Sequence, residues 1–324
     1  MLDGIDDCLF NGEFDTEITS QTWSIFGDAS VPVTDRLTLS GGMRVSHDDQ
    51  RLDDSYANTA GVTQTSQKQD VSDSYITGRA AISYDWTNDF MTYASVARGY
   101  ASGGFAKVQA FSPLGGQTNS FDPSTAWTYE VGSKASFFEN KAELDAALFY
   151  NDVSDGQLVG FQIVGGVPVY SYTNQDYKTY GLEVEGRALL TEDLEVWGGI
   201  GVMKSELGSV TAGGGTKGNE VPGAAEFNAN VGLMYDFLDD FSLSGQYQFV
   251  GARTADIANN FDLDEYHIVN GRLGWGDEDF QVYAFANNIL DEHPEYFGTQ
   301  NSSTNHAMTV GLGRVVGIGI TKSF

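Results

Sequence analysis

The side chains with the most chemical potential lie in polar stretches that separate apolar-patterned ones. Arg98 stands at the start of one such stretch, and a planar guanidinium suits an anionic group gripped by two hydrogen bonds. Tyr100, Phe105, Phe111, Phe121, Tyr170, Tyr172, Tyr177, Tyr296 and Phe297 lie in or beside these stretches. Their rings could stack on a flat ligand such as a catecholate or a sugar, or they pack the loops and line an interface. Arg98, Tyr100, Phe105, Tyr170 and Tyr172 form the candidate ligand-binding set.

Arg44, Arg79, Glu130, Lys134, Glu183, Glu185, Arg187 and Arg272 occupy one face of the alternating segments. They read either as a charged interior that receives a partner domain or guides cargo, or as a wall that is simply solvated. Glu183, Glu185 and Arg187 also read as charge pairs across neighbouring strands. His47, His267, His293 and His306 lie in distant segments with no metal-ligand spacing. Asp48, Asp49, Asp53 and Asp54 cluster, but their spacing is not that of a calcium loop, and solvation is the reading. Gly213-Gly-Gly-Thr-Lys-Gly218 lacks the ending and the helix of a phosphate loop. With no nucleophile elbow and no Ser/His/Asp grouping, the sequence supports no catalytic residue, no cofactor and no enzyme.

The elements that must hold these residues are strands. Phe227, Ala229, Val231, Leu233, Tyr235 and Phe237 alternate with Glu226, Asn228, Asn230, Gly232, Met234 and Asp236. Similar stripes run through 23–33, 37–45, 73–86, 127–137, 141–151, 182–190, 194–202, 241–249 and 266–275. Short acidic turns recur at Thr34-Asp35, Thr87-Asn88-Asp89, Glu139-Asn140, Thr191-Glu192-Asp193, Asp239-Asp240 and Asp277-Glu278-Asp279. Between them lie long polar segments, read as loops, at 49–71, 102–124, 153–175, 208–225, 254–262 and 291–306. Trp86, Phe90, Phe137, Phe138, Phe237, Phe241, Trp275 and Phe280 all flank the short turns. Tight turns at one rim, long loops at the other and an aromatic row at the tight rim describe an all-β, antiparallel up-and-down transmembrane β-barrel. About thirteen strands are expected, an odd count where closed bacterial barrels are usually even.

Composition fits. The net charge is −28, from 17 Lys+Arg against 45 Asp+Glu, so nucleic acid would be repelled. There is no run of apolar residues long enough for a membrane helix, a test a barrel escapes. The single Cys8 permits no intrachain disulfide. Met1-Leu-Asp-Gly-Ile-Asp-Asp7 has neither a basic nor an apolar leader region. Together with the odd strand count, this predicts that N-terminal parts lie outside the chain.

Several motifs resemble those of TonB-dependent outer-membrane receptors. They are Tyr93-Ala-Ser-Val-Ala-Arg-Gly-Tyr-Ala-Ser-Gly-Gly-Phe105, Tyr129-Glu-Val-Gly-Ser-Lys134, Gly181-Leu-Glu-Val-Glu185, Asn287-Asn-Ile-Leu-Asp291 and the closing Gly311–Phe324. Lys322 departs from the apolar or aromatic residue commoner there. The resemblance implies a bacterial outer-membrane location and a barrel of 22 strands with a plugged lumen. It implies TonB as partner through a missing N-terminal region, and a ferric siderophore or other small nutrient complex as cargo. Phe324 then serves as the signal read by the barrel assembly machinery. Arg98 would pair with an anionic siderophore. Residues 1–16 would be the remnant of an extracellular loop and 17–324 the C-terminal part of the barrel. The alternative is a passive outer-membrane porin.

Overall fold

The computed structural model describes residues 12–58, 63–105, 120–164, 167–208, 215–238, 240–277, 279–302 and 305–323. Its strands are β1 (Gly12–Pro32), β2 (Leu37–Asn58), β3 (Thr63–Asp85), β4 (Phe90–Ala101), β5 (Gly104–Phe105), β6 (Ser120–Phe121) and β7 (Ser124–Phe137). Then come β8 (Ala142–Val164), β9 (Val167–Leu189), β10 (Leu194–Leu207), β11 (Phe227–Phe237), β12 (Phe241–Val250), β13 (Arg253–Thr254) and β14 (Asp262–Leu263). The last are β15 (Tyr266–Gly276), β16 (Phe280–Asn287), β17 (Glu295–Ser302), β18 (Asn305–Val310) and β19 (Val315–Lys322).

Thirteen of these form one sheet in the order β1-β2-β3-β4-β7-β8-β9-β10-β11-β12-β15-β16-β19, which is sequence order, and every neighbouring pair is antiparallel. The expected all-β, up-and-down antiparallel architecture with thirteen strands is what the chain forms. β5–β6, β13–β14 and β17–β18 are separate two-stranded ladders at the long-hairpin end.

Directly paired residues share a face, so the register sorts the side chains. On the outer face Tyr129 meets Tyr150 and Tyr150 meets Tyr180, while Ile25 meets Val45 and Val45 meets Ile76. Val131 and Leu148 are each 60% exposed, and Ile318 is 85% exposed. Apolar exposure on this scale is intolerable in water and is what lipid-facing strands require. The aromatics flanking the short turns form one rim of the band, with Phe237 stacked on Phe241 at 5.5 Å. A second row, Trp127, Tyr129, Tyr150, Tyr180, Phe227 and Phe249, bounds it on the other side. From Tyr129 to Phe137 along β7, eight residue steps cover about 26 Å. At a tilt of about 40° that is ~20 Å of height, close to an outer-membrane apolar band.

Three of the short turns share one device. The hydroxyl of Thr34 accepts from the backbone N–H of Arg36 and Leu37 at 3.2 and 3.0 Å. Those of Thr87 and Thr191 accept from Asp89 and Asp193 at 3.1 and 3.2 Å. A hydroxyl that bonds its own backbone two residues on fixes a tight reversal.

The inner face is polar, and all eight charged residues assigned to it in the sequence lie there. Tyr93, Trp197, Tyr283 and Phe285 also point inward, and each is paired directly with a glycine: Gly132, Gly232, Gly319 and Gly317. A Cβ on any of these glycines would sit 2.4–2.6 Å from the ring. Each ring therefore lies across its glycine, against the wall.

The sequence reading differs from the structure at the long hairpins. Much of 49–71 and 153–175 is strand rather than loop: β2 and β3 stay paired to Ala57↔Thr63, and β8 and β9 to Val164↔Val167. Residues 12–16, expected as part of a loop remnant, pair with 54–58 inside β1; residues 1–11 lie outside the described residues. Above the band the outer face no longer meets lipid, so the strands carry no outward apolar stripe and are tied by polar pairs. Thr16 donates to Asp54 at 2.6 Å, Arg51 bonds Asp70 at 2.8 Å, and Lys68 bonds Asp53.

Candidate functional site

The inner face at the long-hairpin end forms the candidate site. β4 and β7 stay paired to Ala101↔Ser124, but β3 and β4 separate after Gly78↔Arg98. The end of β4 therefore leaves β3 and leans over the inner face. Tyr100 stacks on Tyr75 with ring centroids 3.7 Å apart and planes at 15°. Ser102 donates to the carboxylate of Asp48. Gln50 donates to the carbonyl of Gly103 at 2.9 Å, and Gln157 to the carbonyls of Ser102 and Asp122 at 2.9 and 3.1 Å. Asn174 holds Asp122 from both sides, receiving from its N–H at 2.9 Å and donating to its carbonyl at 2.8 Å. Phe105 is buried, and Phe121 packs on Tyr172 with centroids 4.8 Å apart. Leu52, on the inner parity of β2, is fully buried.

Asp48 lies above the last outer apolar residue of its strand, Val45, and is 8% exposed. Burial pushes its carboxyl pKa up. Hydrogen bonds from Ser102, Thr22 and Tyr75 outweigh that and hold it below the ordinary 3.8, so it is a carboxylate. Its Oδ1 is nevertheless buried without a partner among the described residues, and so is the hydroxyl of Tyr100.

A second group of mouth segments packs beside this one. Leu207, Val221 and Ile257 form a small buried core, joined by Leu158, Tyr177 and Ala224. Backbone bonds stitch it: Leu207 N–H to Asn219 O at 2.7 Å, Gly218 N–H to Leu207 O at 3.0 Å, and Gly223 N–H to Thr254 O at 2.9 Å. Asn259 ties the two loops with bonds to Glu220 at 2.8 and 3.1 Å.

Below the mouth the inner wall carries paired charge. Arg187 grips Glu143 in two bonds of 2.9 Å, Lys134 bonds Asp145 at 2.5 Å, and Tyr93 donates to Glu130 at 2.6 Å. Arg272 lies 3.9 Å over the Tyr283 ring and bonds Gln281 at 2.5 Å. These half-exposed pairs set the wall's polarity and contribute little stability each.

Of the five sequence candidates, Tyr100, Phe105 and Tyr172 come together at the mouth. Arg98 does not join them. Paired to Trp127 and Gly78, it shares the outer face with Tyr129 and Val96, and donates to the carbonyl of Ile76 beside the point where β3 and β4 part. Tyr170 belongs to β9, but its side chain lies outside the described residues, as do Phe111 and Phe324. The residues the sequence reading passed over are Asp48, Gln50, Tyr75, Ser102, Gln157 and Asn174. One signal pointed to them: Ser46, Asp48, Gln50 and Leu52 continue the parity of inward Arg44. Among the described residues no group of three His, Cys, Asp or Glu is gathered for a metal ion.

Comparison with known proteins gives consistent results. The family model described as TonB dependent receptor-like, beta-barrel matches residues 3–289. The pesticin receptor of Yersinia pestis is 25% identical over 313 residues, covering 94% of this chain and 44% of that protein. The ferric yersiniabactin uptake receptor FyuA from Yersinia pestis superposes with a TM-score of 0.77 at 22% identity, covering 95% of this chain and 46% of that one. The siderophore receptor PiuA from Acinetobacter baumannii gives 0.71 at 19% identity, with 94% and 43% covered. Structural likeness at these identities speaks to the fold alone. The chain thus spans somewhat under half the length of the relatives it matches.

Proposed function

Because the chain belongs to the TonB-dependent receptor β-barrel family and resides in the bacterial outer membrane, we propose that it forms the wall and mouth of a receptor that imports a ferric siderophore or a similar scarce nutrient with energy delivered through TonB. The observation that carries this reading is the mouth itself. Segment 102–105 folds onto the inner face and bonds to it through Asp48 and Gln50, segment 120–123 is tied to β8 and β9 through Gln157 and Asn174, and 215–225 and 251–265 pack beside them on Leu207 with Val221 bonded to Ser205. Side chains so committed build a shaped site, whereas a passive pore needs only a wide solvated opening. A sequence relative named a ferrichrome outer membrane transporter/phage receptor, from Escherichia coli and 24% identical over 245 residues, supports the same cargo class.

Tyr100 and Tyr172 supply aromatic surface at the mouth while Phe105 packs beneath it, and the paired charges lower down give a water-compatible wall for a plug. Bound cargo would then pass when TonB pulls on the plug. Phe324 at the chain's end serves the barrel assembly machinery.

The test uses the full-length receptor in cells. Uptake of a labelled ferric chelate that stops on deletion of TonB supports the reading. A steady open conductance of the purified receptor in planar bilayers, with solute entry independent of TonB, would instead make it a porin.

A further inference from the structure

We propose that this mouth selects a cargo complex carrying net positive charge, and that Asp48 is the carboxylate that receives its cationic group. The inference rests on the receptor reading above and specifies the charge class of the cargo.

Three observations carry it. First, Asp48 is a buried, ionised carboxylate whose Oδ1 has no partner among the described residues, and the nearby Tyr100 hydroxyl has none among them either. A carboxylate this enclosed normally has all its acceptor sites filled. Here, among the described residues, Oδ1 is left without a partner although Ser102 of the covering segment, Thr22 and Tyr75 all bond the carboxylate.

Second, the cations of this end are already engaged. Arg51 is paired with Asp70, Lys68 with Asp53, Lys178 with Glu206 and Arg314 with Asp291. Arg253 is buried and donates to the carbonyls of Asp264 and Glu295. Lys204 and Arg98 face outward, leaving Lys217 as the uncommitted cation on this rim among the described residues. Asp73, paired beside Asp48 on the inner face, adds a second negative charge next to the site. A concave site lined by one sign of charge raises the local concentration of the opposite sign.

Third, the stacked Tyr75 and Tyr100 rings stand next to Asp48, with Tyr75 bonded to it. Aromatic faces beside a carboxylate suit an ammonium or guanidinium group and gain nothing from an anion.

The covering segment gives the step its form. The Ser102 hydroxyl is held by its bond to Asp48 and the Ser102 carbonyl by Gln157, while Gly103 is held by a bond from Gln50. A cationic group entering the mouth would displace the Ser102 hydroxyl, occupy both carboxylate oxygens and leave the segment resting on the cargo.

Binding to the full-length purified receptor tests this with three ferric chelates of similar size: a monocationic trihydroxamate, a neutral trihydroxamate and a trianionic tris-catecholate. The expected result is that the monocation binds at least about tenfold more tightly than the trianion, with the gap closing as salt rises from about 0.05 to 0.5 M. Asp48→Asn should weaken the monocation about tenfold and the neutral complex less than about twofold. Asp49→Asn, which removes the same charge from the outer face of the same strand, should change neither. Ser102→Ala keeps the carboxylate and removes its competitor, so monocation affinity should hold or rise. Equal or tighter binding of the trianion overturns the proposal, as does an equal loss for all three chelates in Asp48→Asn. If none of the three binds, the inference of a cation-selecting mouth is overturned, whereas the receptor reading stands or falls separately on whether uptake depends on TonB.

Discussion

Truncating Ile257 to alanine should unlatch one half of the mouth without loosening the membrane band. Ile257 is 3% exposed and packs with Leu207 and Val221, the two other buried members of its cluster. Its carbonyl receives the side-chain N–H of Asn219 at 3.0 Å, so the backbone is anchored independently and will hold position when the side chain is shortened. A cavity is then left unfilled, and Ile→Ala at such a site costs about 2–5 kcal/mol. Because the cluster joins only mouth segments, that cost falls on local opening. The open population should rise by about thirtyfold at the low end and by a few thousandfold at the high end. Hydrogen exchange followed by mass spectrometry on the detergent-solubilised receptor reads this directly. The amides of Leu207, Gly218 and Gly223, all bonded across the cap, should exchange faster by that factor. Those of β11 between Phe227 and Phe237 should not change. If cap and band accelerate together, or neither does, the cap is not an independent unit and the reasoning fails.

Other perturbations have sharper or smaller effects. Asn288 bonds Glu292 O at 2.7 Å, Leu312 O at 3.1 Å and Glu292 N–H at 3.0 Å, at a backbone φ of 53°. Asn288→Ala should cost about 2–4 kcal/mol, seen as a lower temperature of band shift on unboiled gels. Gly276 has φ 125°, and a Cβ there would meet the Phe280 carbonyl oxygen at 2.1 Å. Gly276→Ala should therefore cut the folded fraction during refolding into detergent, while Gly245→Ala, with its nearest atom 3.9 Å away, should not. Lys134→Gln should change stability by less than about 1 kcal/mol in thermal melts, since its pair with Asp145 is half exposed. The Asp48 carboxyl is lowered from 3.8 by its hydrogen bonds, so its contribution is fully present above that value and is lost as pH falls through the lower folded one. Exchange of amides in 102–105 should accelerate only in that acid range, and the response should vanish in Asp48→Asn.

The barrel was legible in the sequence because lipid on one side and water on the other impose alternation. Phe227 to Phe237 reads as strand without ambiguity, and the Thr-centred turns mark every reversal they occupy. Legibility stopped where that asymmetry ends. Asp49 to Asn58 and Val153 to Val164 are strands that run on beyond the apolar band without its alternation, and nothing in their residue types separates them from loop. The aromatic row at the short turns was visible, whereas Tyr129, Tyr150 and Tyr180 went unnoticed as its counterpart because their strands run on beyond them. Arg98 was assigned to a ligand by its place before a loop. Its face depends on the pairing with Trp127, a cross-strand fact that one strand's sequence does not carry. Asp48 was grouped with Asp49, Asp53 and Asp54 as solvated, and only register separates the inward carboxylate from its outward neighbour.

The glycines opposite Tyr93, Trp197, Phe285 and Tyr283 bear on how much room the passage leaves. A ring lying flat thickens the wall by about the depth of one aromatic face, ~3.5 Å, while an upright ring would project about twice that. Four large side chains thus cover the inner face as a thin veneer instead of projecting from it. Bore is set here by residues with no side chain at all, and a single methyl group on Gly132 or Gly232 would narrow the lumen by tipping its neighbour's ring into it.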